Sequence, residues 1–154
     1  MKILAVDPSI NFAGYAIYNG TKLNSYGLLN PKMDKTFNEE YIDKSFSIFS
    51  QLKKLYKKEK IDKVILEIPE HFGVSGYMAR ESGSIFKLTF LCGMICSLKE
   101  VITTPPRGWK GQLPKHVMRN RFIKKFPQLD IENINHNVLD AIAIGLWHVT
   151  KEKS

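Results

Sequence analysis

An α/β fold, with a mixed five-stranded sheet flanked by helices, follows from three features of the sequence. Residues 2–29 hold three strand-like runs separated by tight turns. Residues 63–68 form an almost continuous apolar run, as a central parallel strand does. The remaining apolar residues recur at helical spacing. Antiparallel strands first and alternating helices and strands afterwards give a mixed sheet with helical cover. At 154 residues the chain is expected to be one domain, 1–154, large enough for a real core.

The elements follow in order. Residues 2–7, 14–18 and 22–29 read as strands, with turns supplied by Asn11 to Gly14 and by Asn19-Gly20. A helix is expected over 38–58, where Tyr41, Ile42, Phe46, Phe49, Leu52 and Tyr56 recur every three or four residues. The strand at 63–68 precedes a helix at 78–98 that is apolar nearly all round. Residues 101–104 form a short strand stopped by Pro105-Pro106. A basic helix over 115–126 ends at Pro127, and a last helix spans 136–150 with Asn135 as its candidate N-cap.

Composition narrows the class. Hydrophobic residues make up 44% and charged residues 25%, as in an ordinary soluble globular protein. The longest apolar stretch, Ile85 to Leu98, is interrupted by Lys87 and is too short to span a bilayer. The N-terminal residues read as a strand with one Lys rather than a signal sequence, so a cytoplasmic location without membrane association is expected. Cys92 and Cys96 have no second pair and read as reduced core or interface cysteines. The net charge is +8, and Arg107, Lys110, Lys115, Arg119, Arg121, Lys124 and Lys125 occur in one stretch without an acid. Gly108, Trp109, Gly111 and Pro114 interrupt its first half, which reads as a basic loop able to track a phosphate backbone. The cluster Lys53 to Lys60 is better read as a solvated helix face.

Three acids carry the chemistry. Asp7 closes the first strand, Glu67 lies in Val64-Ile-Leu-Glu67-Ile, and Asp140 lies in Val138-Leu-Asp140-Ala-Ile-Ala. A carboxylate in an apolar segment is costly unless something pairs it, and a divalent metal is the usual partner. Three isolated acids in far-apart apolar segments therefore predict a metal site assembled by folding.

At this point the chain resembles the RuvC-type Holliday junction resolvases of the ribonuclease H-like superfamily, over nearly its whole length. Four motifs carry the resemblance in order: Ile3-Leu-Ala-Val-Asp7-Pro-Ser-Ile-Asn-Phe-Ala-Gly14-Tyr15-Ala; Val64-Ile-Leu-Glu67, with Phe72 shortly after; Thr104-Pro-Pro-Arg-Gly-Trp-Lys110-Gly, then Lys115; and Asp140-Ala-Ile-Ala-Ile-Gly-Leu-Trp-His148. Two positions depart from the family pattern. Ser9 stands where the family usually has Gly, which implies a less permissive turn. Three residues before its last Asp the family has Asp or His; here that residue is Asn137, and His136 lies four before. Both positions share a helix face with Asp140, so either can complete the ligand set. Asn137 offers a carbonyl oxygen. His136 offers a nitrogen that suits Mn²⁺ better than Mg²⁺.

The resemblance implies a ribonuclease H-like fold and a homodimeric endonuclease. Such an enzyme cuts four-way or otherwise branched DNA and leaves 5′-phosphate ends. Asp7, Glu67 and Asp140, with His136 or Asn137, would hold two Mg²⁺ ions about 4 Å apart, and Lys110 and Lys115 would counter phosphate charge. Arg107, Trp109, Arg119, Arg121, Lys124 and Lys125 would contact DNA, and Phe72 or Tyr77 would reach a junction base, unless either is simply packed in its loop. The helix 78–98 is the expected dimer surface, because one monomer face cannot cover all its apolar residues; a fully buried core helix is the other reading. A ribonuclease H-like nuclease acting on RNA or RNA–DNA hybrid is the nearest alternative. A non-catalytic DNA-binding module is disfavoured by the retention of all three acids, and an actin-like phosphotransferase by the chain's length. The compact Lys- and Asn-rich composition is compatible with a phage origin, in which case the protein acts in the host cytoplasm.

Overall fold

The computed structural model describes residues 1–33, 35–70, 77–78, 80–111 and 115–151, with the backbone alone at 115, 116, 118 and 119. Five strands form one sheet: β1 (Lys2–Pro8), β2 (Ala13–Asn19), β3 (Lys22–Leu29), β4 (Lys63–Glu67) and β5 (Val101–Thr104), in the order β3-β2-β1-β4-β5. The first three strands are antiparallel neighbours, and β4 and β5 run parallel to β1. The helices are α1 (Glu40–Glu59), α2 (Ser84–Ile95), α3 (Pro106–Trp109), α4 (Lys115–Lys125) and α5 (His136–Lys151). The expected mixed sheet with helical cover is therefore observed.

Strand alternation builds two cores from one sheet. Ile3, Ala5, Ala16, Tyr18 and Ile65 face α5 and pack with Val138, Ala141, Ile142 and Ile144. Leu4, Val6, Ile17, Val64 and Leu66 face the other way, against Ile48 and Leu52 of α1 and Leu91 and Ile95 of α2. The same alternation aims Asp7 and Glu67. Ala5 is in register with Ile65 and Val6 with Leu66, so the next rung sets Asp7 beside Glu67. Both continue the rows that face α5, at the carboxyl ends of adjacent parallel strands, where open α/β sheets place their ligands.

Two close approaches hold α5 on that face. A Cβ on Gly14 would run into the backbone carbonyl of Asn137, and a Cβ on Gly145 would run into the Tyr18 ring. Tyr18, fully buried, donates its hydroxyl to the carbonyl of Ile142 at 2.8 Å. Asn135 caps the helix as expected, its Oδ1 accepting the backbone N–H of Asn137 at 2.9 Å.

Three expectations are corrected. The helix expected over 78–98 is broken: Gly83 adopts φ +70, and α2 begins at Ser84 and ends at Ile95. The basic stretch after Pro105 opens with a helical turn rather than a loop, since Pro106 suits a first helical position. Ser9 does not strain its turn. It is not among the positive-φ residues, and its hydroxyl and N–H both donate to the Phe12 carbonyl at 2.8 Å. Cys92 is buried, with its thiol pushed up to about 12 by burial, and Cys96 is exposed; both are free. No helix among the described residues is long and apolar enough to cross a membrane.

Gly14→Ala is expected to push the first turn of α5 off β2 and to destabilise the protein by about 1–3 kcal/mol, the range for overpacked cores. Urea denaturation of the purified variant measures this. An unchanged midpoint would mean that α5 does not lie so close to β2.

Candidate active site

Asp7 is only 6% exposed, on the central strand of the sheet. Its Oδ2 accepts a hydrogen bond from the Asn137 side-chain amide at 2.9 Å. Burial, and then repulsion from Glu67 and Asp140, push the Asp7 carboxyl up from its ordinary 3.8 to about 8, against the lowering effect of Asn137 and Lys110. Glu67 is pushed up to about 7, first by burial. The Trp109 hydrogen bond opposes that rise, and Asp140 adds to it. The three acids singled out in the sequence thus act on one another electrostatically.

Each acid has one direct partner from a different segment. The Trp109 indole N–H donates to Glu67 Oε2 at 2.5 Å. Lys110 Nζ lies 3.4 Å from Asp140 Oδ2 and 5.2 Å from the centre of the Trp109 ring. Among the described residues, no three His, Cys, Asp or Glu side chains already meet as a ligand cluster. The oxygens are held by Asn137, Trp109 and Lys110 instead. The donor set is nevertheless that of a hard cation: three carboxylates and the Asn137 side-chain oxygen, which is buried without a hydrogen-bond partner.

The structure sets the two candidates for the fourth ligand in different surroundings. Asn137 is 5% exposed and touches Asp7. His136 is exposed, its ring edge-on to Phe12 at 6.5 Å. Trp109, expected at a DNA surface, is 7% exposed, and its N–H is spent on Glu67. Arg107 lies 3.3 Å from Glu70 Oε2, a contact that residue spacing did not foreshadow. Arg121, Lys124 and Lys125 are exposed on α4. Tyr77 is exposed, with the Arg80 guanidinium 5.4 Å from its ring centre. Phe72 and the side chains of Lys115 and Arg119 lie outside the described residues.

No protein-family model matches this chain, and no curated protein sequence matches it. Solved structures do match. Thermus thermophilus RuvC in complex with a Holliday junction substrate superposes with a TM-score of 0.71 at 14% identity, covering 99% of this chain and 95% of that one. The fold is that of the RuvC-type resolvases. A structure of T. thermophilus RuvC gives a TM-score of 0.64, also at 14% identity, over 99% of this chain and 96% of that one. The Fowlpox virus resolvase, complexed with its substrate Holliday junction DNA, gives 0.55 at 20% identity, with both chains covered completely. The RuvC fold is thus retained over the full length at very low sequence identity.

Folded Asp7 holds its proton more tightly than an unfolded chain does. Its ionisation therefore destabilises the metal-free protein as pH rises from about 4 towards 8. Asp7→Asn is expected to raise the melting temperature in chelator at pH 8, by on the order of a few kcal/mol of stability, and to leave it nearly unchanged at pH 4. Equal effects at both values would show that Asp7 is not held in this environment.

Proposed function

We propose that this chain is a metal-dependent endonuclease that resolves Holliday junctions and other branched DNA by phosphodiester hydrolysis, in recombination and repair. It acts as a homodimer and leaves 5′-phosphate ends. One observation carries the reading: within a RuvC fold, Asp7, Glu67 and Asp140 come from β1, β4 and α5 to a single electrostatically coupled site beside Lys110. Two of the solved structures with this fold hold Holliday junction DNA.

Asp7, Glu67 and Asp140, with the Asn137 oxygen, would hold Mg²⁺, for which Mn²⁺ can substitute. Two bound ions would supply an activated water and stabilise the leaving oxygen. The protein's own groups prepare that chemistry. Asn137 orients Asp7, and Trp109 orients Glu67. Lys110, paired with Asp140, offers a charge that a phosphate can share. Arg121, Lys124 and Lys125 are free to follow the backbone, and Tyr77 is exposed for contact with a junction base.

The dimer reading rests on an aromatic surface larger than one helix. Phe86 and Phe90, one turn apart on α2, are 70% and 38% exposed. The Phe90 ring lies 6.0 Å from Tyr41 and 6.4 Å from Phe46 of α1, and Phe46 stacks on Phe37 at 5.0 Å. A contiguous exposed patch of this kind marks an interaction surface. A second copy there would give the symmetric junction two active sites.

Incubation with labelled four-way junction, duplex and RNA–DNA hybrid tests the activity. Junction cleavage is expected only with Mg²⁺ or Mn²⁺, and Asp7→Asn should abolish cutting while binding persists. Asn137→Ala should impair cutting more than His136→Ala. Lys110→Ala should slow single-turnover cleavage about 10²–10³-fold. Lys125→Ala should weaken binding and flatten its salt dependence by roughly one log–log unit. Cleavage of the hybrid alone would replace this reading with an RNA-directed one. Separately, Phe90→Asp is expected to give a monomer in sedimentation, and an unchanged dimer would remove α2 from the interface.

A further inference from the structure

A cavity of about 370 Å³ opens between α4 and α5, and Trp109, the hydrogen-bond donor to Glu67, is part of its lining. Trp147 forms its partly exposed wall, and Trp109 and Phe122, 7% and 5% exposed, form its floor. Ala143 is the small residue among them, and Arg121 and Lys125 add two cationic side chains. None of the steps above uses Phe122 or Trp147. Helical spacing explains the arrangement. Arg121, Phe122 and Lys125 share one side of α4, and Ala143 and Trp147 are one turn apart on α5.

Flat apolar walls combined with exposed cations match an unpaired nucleotide, whose base stacks while its phosphate stays with the charges. The volume is at the low end for small-molecule sites, enough for one nucleotide and far too small for a duplex. Asp140 precedes Trp147 by seven residues on α5, about 10 Å along the helix axis. That distance corresponds to two or three nucleotides at ~3.4 Å each along one strand.

We propose that this cavity captures one unpaired base of the DNA substrate, two or three nucleotides from the cleaved phosphate. The inference rests on the nuclease reading and adds a base-binding site to it. Capture costs least where pairing is already interrupted, so the site favours branched over duplex DNA. Because Trp109 is both a cavity wall and the hydrogen-bond donor to Glu67, an occupied cavity also fixes the ring that orients a catalytic carboxylate.

Photocross-linking tests this on the intact protein. 5-Iodouracil is placed at successive positions around the crossover of a four-way junction, bound to the unmodified chain in chelator, irradiated and mapped by mass spectrometry. The expected result is an adduct on Trp147, Trp109 or Phe122 from one position, two or three nucleotides from the cut. Trp147→Ala should weaken junction binding about tenfold while leaving duplex binding unchanged, and Trp147→Phe should restore it. Adducts confined to other residues, or equal junction affinity for Trp147→Ala, would overturn the cavity's role even if the junction is still cut. A chain that neither binds nor cuts junctions overturns both the cavity site and the nuclease reading.

Discussion

Everything around the candidate site is arranged by the burial of Asp7. Its strand is central and covered by helices on both faces, so the carboxylate is largely withdrawn from water. One neutral amide, Asn137, donates to it directly. A single such bond offsets only part of the desolvation of an ionised carboxylate, and Glu67 and Asp140 add repulsion. The first turn of α5 is therefore pressed against β2 at Gly14, where any side chain would collide, because only there can Asn137 meet Asp7. The Asn135 cap sets the rotation of that turn, and the Tyr18–Ile142 bond sets its position along the axis. Stability is given up at one point where carboxylates are gathered, and neighbouring contacts compensate.

The fold was legible in the sequence because its signals were local. The acids at 7 and 67 could be placed at strand ends, and strand parity alone then puts them on one sheet face. The N-cap and the strands were legible for the same reason. What stayed hidden depended on contacts between distant segments. Gly83 lies in a sequence with no proline or charge run to announce a break, and only its left-handed backbone reveals one. His136 and Asn137 were indistinguishable by helical phase, since both share a face with Asp140. The packing against Gly14 and the hydrogen bond to Asp7 give Asn137 surroundings that His136 lacks.

Trp109 is the clearest case of a local signal that did not foretell how its side chain packs. A Trp among Gly, Pro, Arg and Lys has the composition of a nucleic-acid-binding loop. Its neighbours Pro105 and Pro106 start a helical turn instead, and Gly108 passes so close to Thr104 that a Cβ there would collide with its hydroxyl. The turn swings the indole inward, where it covers apolar residues with its face and gives its N–H to Glu67. Buried indoles usually find such a partner.

That contact links two surfaces of different character. On one side are carboxylates suited to a hard cation, Asp7 buried and Glu67 and Asp140 partly open to solvent. On the other, aromatic rings and exposed cations of α4 and α5 form a cleft of the opposite charge. The basic charge of the chain thus has a counterpart in its fold. The acids are gathered at the carboxyl ends of β1 and β4, and cations on the adjoining helix can hold a polyanion against them. A polyanion approaching bare carboxylates would be repelled. Lys110, at the boundary and in contact with both Asp140 and the Trp109 ring, lowers that repulsion where the two surfaces join.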